Sequence, residues 1–131
     1  MGKEAIPNPP GAPERIPGMV SGVRAGGFLF FSALRGRHPQ TNEMSEDARE
    51  QARQAFENLK LLLEASGATL EDVVKVTLFL GDLRHRNEFH EVWMEYFPRN
   101  PPARIAVQVA DANAAPGGKA LFALDVIALA R

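Results

Sequence analysis

Two segments of this chain are apolar at nearly every position, and that fixes how they must be packed. Residues 73–80 read Val-Val-Lys-Val-Thr-Leu-Phe-Leu, and residues 120–130 are apolar almost throughout. A strand with one wet face alternates apolar and polar side chains. A strand without that alternation is covered on both faces. The chain must therefore supply two layers of cover, or borrow one.

The remaining pattern supplies one layer. Across residues 45–66, Ala48, Ala52, Ala55, Phe56, Leu59, Leu62 and Leu63 recur at helical spacing. Ser45 is expected to cap this helix, Glu46 and Asp47 to suit its positive end, and Gly67 to end it. Thr69 to Asp72 suits a short capped turn. A second helix is expected over 87–97, stopped by Pro98, with Phe89, Val92, Trp93, Tyr96 and Phe97 as its stripe. Strands are expected at 19–23 and 28–34, joined through Arg24-Ala25-Gly26-Gly27, and at 103–109, approached through Pro101-Pro102. Residues 35–44 are polar and turn-rich, and a late loop holds Asp111, Asn113, Pro116, Gly117 and Gly118.

Five prolines (Pro7, Pro9, Pro10, Pro13 and Pro17) make residues 1–18 an irregular arm rather than a helix or inner strand. The order strand–strand–helix–strand–helix–strand–strand implies an α+β domain: a mixed sheet with two helices on one face. No segment is left for the other face, so a second sheet from another subunit is the economical cover.

The 131 residues suit one domain, 1–131, with a single core. Net charge is −1, from 15 basic and 16 acidic residues, with no basic block. The electrostatic footprint of a nucleic-acid binder is therefore missing. With no cysteine, disulfides, thiol catalysis and thiolate metal sites are ruled out. No apolar run approaches the roughly 20 residues of a membrane span, and the start of the chain has no signal-peptide core and no Ser/Thr at position 6 for myristoylation. A reducing, cytoplasmic setting is the simplest expectation.

Two charges look out of place. Arg104 opens a strand of Ile105, Ala106, Val107, Gln108 and Val109, and by alternation shares a face with Ala106 and Gln108. Alanine leaves space beside it, which suits a ligand pocket; a strand-end salt bridge is the alternative. Asp125 sits among Leu124, Val126 and Ile127, where a carboxylate is costly to bury unless paired. It is either a general acid or base tuned by burial or half of a structural ion pair, with Arg104 as one possible partner. The histidines are His38, His85 and His90; His85 and His90, five apart, do not share a helix face, and with no cysteine and no His-x-x-x-His no metal site is expected. His90 reads as a solvated helix residue, and the Phe30-Phe31 and Trp93/Tyr96 sets as core or interface. There is no phosphate-cradling glycine loop and no nucleophile elbow.

In order along the chain, these pieces resemble the RidA/YjgF family from about Arg15 to Arg131. Pro102-Ala103-Arg104 opens a strand, and an acid precedes Val126-Ile127-Ala128 in the closing one. Gln51 to Lys60 is similar to the family's first helix, and Asp72 to Leu80, followed by Asp82-Leu83, to its central strand.

The resemblance implies a chorismate-mutase-like subunit in a homotrimer, with clefts between subunits and no cofactor or metal. It implies hydrolysis of reactive enamine and imine acids to 2-keto acids and ammonia. It places the substrate carboxylate on Arg104, with the backbone of Ala106 assisting, and the glutamate that assists water at Asp125. The guanidinium fork suits that grip, because it matches a carboxylate in two parallel hydrogen bonds.

The same resemblance marks departures. The family's pocket tyrosine falls at Met19, its pocket glycine at Ala33, its helix asparagine at His90, and the glutamate two residues before Asp125 at Ala123. Two functions follow. One is an imine/enamine deaminase, a hydrolase acting on a small carboxylate, with catalytic Arg104 and Asp125 and with Ala106, Ala33, Met19 and His90 lining the site. The other is a non-catalytic trimer that binds a small carboxylate. Ribonuclease action, also associated with the family, fits the near-zero net charge worst.

Overall fold

The computed structural model describes residues 2–113 and 118–131, so Pro116 and Gly117 of the late loop lie outside the described residues. Six strands form one sheet: β1 (Glu4–Ala5), β2 (Gly22–Ala25), β3 (Phe28–Phe31), β4 (Val73–Leu80), β5 (Ala103–Gln108) and β6 (Phe122–Leu129). Helix α1 (Ala48–Ala65) lies between β3 and β4, and α2 (Arg86–Tyr96) between β4 and β5. The strand order is β1-β2-β3-β6-β4-β5. Only β4 and β5 are neighbouring parallel strands, and β6 inserts antiparallel between β3 and β4. The expected α+β mixed sheet with two helices on one face is what forms. No helix among the described residues is long and apolar enough to cross a membrane.

Local chemistry explains where the elements depart from expectation. The first hairpin closes on Gly26 and Gly27 alone, at φ of 59° and 84°. A two-residue turn with both φ positive suits adjacent glycines. Arg24 and Ala25 therefore pair with Leu29 and Phe28, and the strand runs 22–25 rather than 19–23. The arm is not wholly irregular: Glu4 and Ala5, ahead of the first proline, pair with Arg24 and Val23 as an edge strand. Helix α1 is capped by Asp47, whose carboxylate accepts from the backbone N–H of Arg49 and Glu50. The Ser45 hydroxyl instead accepts from the Asp47 N–H. Gly67 follows the helix at φ 79°, the left-handed stop that favours glycine. The capped turn appears as a 3₁₀ turn over Leu70–Asp72, with the Thr69 N–H donating to Asp72 Oδ2 at 2.9 Å.

The core lies between helices and sheet. Phe56 of α1 is fully buried and meets the rings of Phe89, Trp93, Tyr96 and Phe97 at centroid separations of 4.9–6.2 Å. Val76, Leu78 and Leu80 of β4 and Phe122, Leu124, Val126 and Ala128 of β6 complete it. Among the described residues nothing covers the opposite face. There Ile105 is 51% exposed, Phe30 43%, Phe28 39% and Leu129 37%. The register breaks between Val73 and Lys75, so Val73 joins the covered face and β4 offers Lys75, Thr77 and Phe79 to the open one. The open face of β4 is thus less apolar than its sequence suggests, and β3, β5 and β6 supply most of the apolar surface.

Candidate functional site

Pro101-Pro102 delivers the chain into β5 in extended form, and β5 lies at the sheet's edge. Arg104 pairs with Val76, which is fully buried, so its side chain lies on the helix side, as alternation with Ala106 and Gln108 requires. Its guanidinium carbon stands 4.6 Å from the centroid of the Trp93 ring. A cation over an indole face is stabilised by the ring's quadrupole, by about 0.5–2 kcal/mol depending on solvation. Nη1 is buried and has no hydrogen-bond partner. Burial alone lowers the Arg104 pKa from its ordinary value, and the group stays charged at neutral pH.

Among the described residues Arg104 forms no salt bridge, so the strand-end ion pair that the sequence left open is not found. An orphaned, half-desolvated guanidinium donor costs free energy until an acceptor arrives. Ala106, two residues on, is half-buried against the core. His90 is exposed on α2, one helical turn before Trp93.

Asp125 is where the structure corrects the sequence. It is exposed, not buried, and pairs with Thr77 on the open face. Arg104 lies on the other face, so the two cannot pair within one chain. The apolar neighbours that made Asp125 look buried belong to the alternate, covered positions Leu124 and Val126, and to an open face that this chain leaves bare.

Met19 and Ala33 do come together. Both line a cavity of about 180 Å³ between the N-terminal arm, the 33–37 segment and α1. The isolated bridge Leu34–Leu124 continues through Leu78 to Ala106, so this cavity lies three strand spacings from the Arg104 strand. At about 4.8 Å per spacing that is about 14 Å. One chain therefore holds the expected site residues in two separate groups: Arg104, Ala106 and His90 toward the β5 edge, and Met19 with Ala33 beyond β6.

The sequence reading missed Trp93 as the platform under Arg104 and the two polar residues buried in α1, Gln51 and Asn58. Their signal was spacing: 51, 55, 58 and 62 follow the helix's apolar stripe. Among the described residues no group of three or more His, Asp or Glu is placed to hold a metal ion.

The sequence model of the endoribonuclease L-PSP family matches residues 10–129. The chain belongs to this family, which is the RidA/YjgF family. Its relatives include a RutC family protein of Pyrococcus horikoshii, 41% identical over 99 residues, 75% of this chain and 79% of that one. A 2-iminobutanoate/2-iminopropanoate deaminase of Dermatophagoides farinae is 37% identical over 112 residues, 85% of this chain and 88% of that one. Among solved structures, E. coli TdcF with bound serine superposes at a TM-score of 0.86 with 32% identity, covering 96% of this chain and 98% of the other. The RidA/YjgF fold thus accounts for nearly the whole chain.

Proposed function

We propose that this protein deaminates small 2-imino or 2-enamino carboxylic acids by hydrolysis, in clefts between the subunits of a homotrimer. The orphaned Nη1 of Arg104, held over Trp93, is the observation that carries this reading. The guanidinium takes the substrate carboxylate in a bidentate grip, and the Ala106 backbone holds the same group. Water adds to the imine carbon to give a carbinolamine; its hydroxyl then passes the remaining proton to the nitrogen as C=O forms and the C–N bond breaks, and a 2-keto acid and ammonia leave. Asp125 takes the proton from the attacking water and returns it to the leaving nitrogen. Met19, Ala33 and His90 complete the walls.

Assembly is part of the proposal, because in a single chain Arg104 lies apart from both Asp125 and the Met19–Ala33 pair, whereas Ala33 and Asp125 flank the Leu34–Leu124 bridge. Subunits joined through the open face bring a β5 edge against another chain's β6. The deaminase named among the relatives supports the same chemistry.

The exposure of Asp125, away from Arg104, favours a second reading: a trimer that binds the carboxylate without turning it over. Ammonia release from freshly generated imino acids separates the two. Wild type should exceed buffer and Asp125→Asn should not. If both match buffer while 2-keto acids still bind, the binding reading stands. Arg104→Ala should weaken 2-keto acid binding by about 30- to 5,000-fold, the equivalent of about 2–5 kcal/mol. Arg104→Lys should restore little, since an ammonium lacks the fork. Unfolding of Arg104→Ala, seen by circular dichroism, would mean that the arginine is structural.

A further inference from the structure

The cavity that holds Met19 and Ala33 also holds three arginines: Arg15 from the arm, and Arg35 and Arg37 from the segment after β3. None of the three forms a salt bridge among the described residues, whereas Arg49, Arg53, Arg84 and Arg131 each pair with a carboxylate. Glu14 lines the same cavity without pairing with any of them. Arg15 donates one bond, from Nη1 to the Ala33 carbonyl at 3.0 Å, and Arg35 one, from Nε to the Ala112 carbonyl at 2.8 Å. Each guanidinium has five N–H donors, so most remain free for a ligand.

The arrangement is held from beneath. Asn58, 1% exposed on α1, donates to the carbonyls of both Arg35 and Arg37, at 3.2 and 2.9 Å. Between them a Cβ at Gly36 would collide with the backbone of Gln51, so the loop seats directly on the helix. The arm is fixed as well: Ser21 donates to Asn8 Oδ1 at 2.6 Å, and Asn8 Nδ2 to the Pro13 carbonyl at 3.1 Å.

Gathering like charges without a salt-bridged counter-charge opposes folding. Burial, then Arg35 and then Arg37, lowers the Arg15 pKa; burial and then Arg37 lower that of Arg35, against a smaller opposing pull from Asp111. An anion would relieve the repulsion, and a guanidinium fork is the side chain best shaped for carboxylate or phosphate oxygens. Leu34 and Leu62 give the cavity an apolar wall for a carbon skeleton. At 180 Å³ it falls below the roughly 300 Å³ of drug-sized sites, which limits the ligand to a small metabolite.

We infer that Arg15, Arg35 and Arg37 form a binding site for a small metabolite carrying two or more oxyanion charges. The site does not need Arg104, although it shares Met19 and Ala33 with the proposed cleft. Calorimetric titration at constant ionic strength, set with sodium chloride, tests it with citrate and with pyrophosphate as separate probes. Saturable binding is expected for at least one probe, weakened tenfold or more in Arg35→Gln/Arg37→Gln and retained in Arg104→Ala. Binding of citrate alone assigns a polycarboxylate, and of pyrophosphate alone a phosphorylated ligand.

Binding lost in Arg104→Ala but kept in the double variant would transfer the anion to the proposed cleft and overturn the inference. So would no saturable binding of either probe. Should the double variant fail to fold, the arginine Nε–Hε NMR signals of wild type decide. Ligand-dependent shifts at Arg15, Arg35 and Arg37 support the site, and unmoved signals at saturation refute it.

Discussion

The two faces of the sheet are built from alternate residues of the same strands and have opposite fates. On the helix side, Phe56, Phe89, Phe122, Leu78 and Leu124 are at most 1% exposed and touch one another. On the other side, Phe28, Phe30, Ile105 and Leu129 face outward, with Asp125 and Thr77 among them. The covered face stabilises the chain by itself. The open face can contribute only when something covers it, because its apolar area stays in water otherwise. Stability within the chain belongs to one face; the proposed assembly would draw on the other and on the sheet's edges.

The largest effect should come from the covered face. Phe56 sits among four other aromatic rings, so Phe56→Ala should destabilise by about 3–5 kcal/mol, read from urea unfolding at fixed protein concentration. A loss under about 1 kcal/mol would mean that the helix layer is not the stabilising one.

The open face should respond differently. If it is the surface that a homotrimer buries, Ile105→Asp should reduce the mass seen by light scattering from about three chains toward one. Each copy would forfeit roughly 1.5–3 kcal/mol of apolar burial and would place a carboxylate in the interface. The far-ultraviolet dichroism should persist. A wild type that is already a folded monomer at micromolar concentration would remove the comparison's second half.

Legibility followed the same division. The β4 boundaries and the α2 stripe were readable because a buried run and a 3.6-residue period leave few alternatives. The hairpin was misplaced because strand propensity at Met19 and Val20 says nothing about which two residues can hold positive φ; only the turn decides that. Two-residue β1 was unreadable, since it pairs as an edge before Pro7 and has no pattern of its own. At the site, Arg104 was legible as a charge opening an apolar strand, but its Trp93 platform was not, since the contact joins α2 to β5 through tertiary packing. Asp125 misled because a string of apolar neighbours suggests cover on both faces, whereas this chain covers only one of them. The Arg35-Gly36-Arg37 segment carried no period at all, and only its seat on Asn58 and Gln51 draws it to Arg15.

The smallest effect separates two aspartates. Asp72, on the covered side, is 3% exposed and fully served: it accepts from the Thr69 N–H and pairs with Arg131. Burial pushes its pKa up, but the Thr69 hydrogen bond and the Arg131 charge outweigh this and leave it below 3.8. A carboxylate with a lowered folded pKa stabilises the fold fully above its unfolded value and loses that contribution as pH falls through the folded one. The Asp72 contribution should therefore be intact at neutral pH, begin to fall as the pH approaches about 3.8 and be lost below the still lower folded pKa. Asp72→Asn keeps an oxygen for Thr69 but loses the charge toward Arg131, whose side chain is 65% exposed and screened by water. The cost should be about 1 kcal/mol at pH 7, vanishing in acid. Asp125→Asn, with no such partners in its own chain, should shift the unfolding midpoint by less than about 0.5 kcal/mol. Equal losses at the two positions would show that Asp125 is also tied into the fold, through a neighbouring subunit that buries and pairs it.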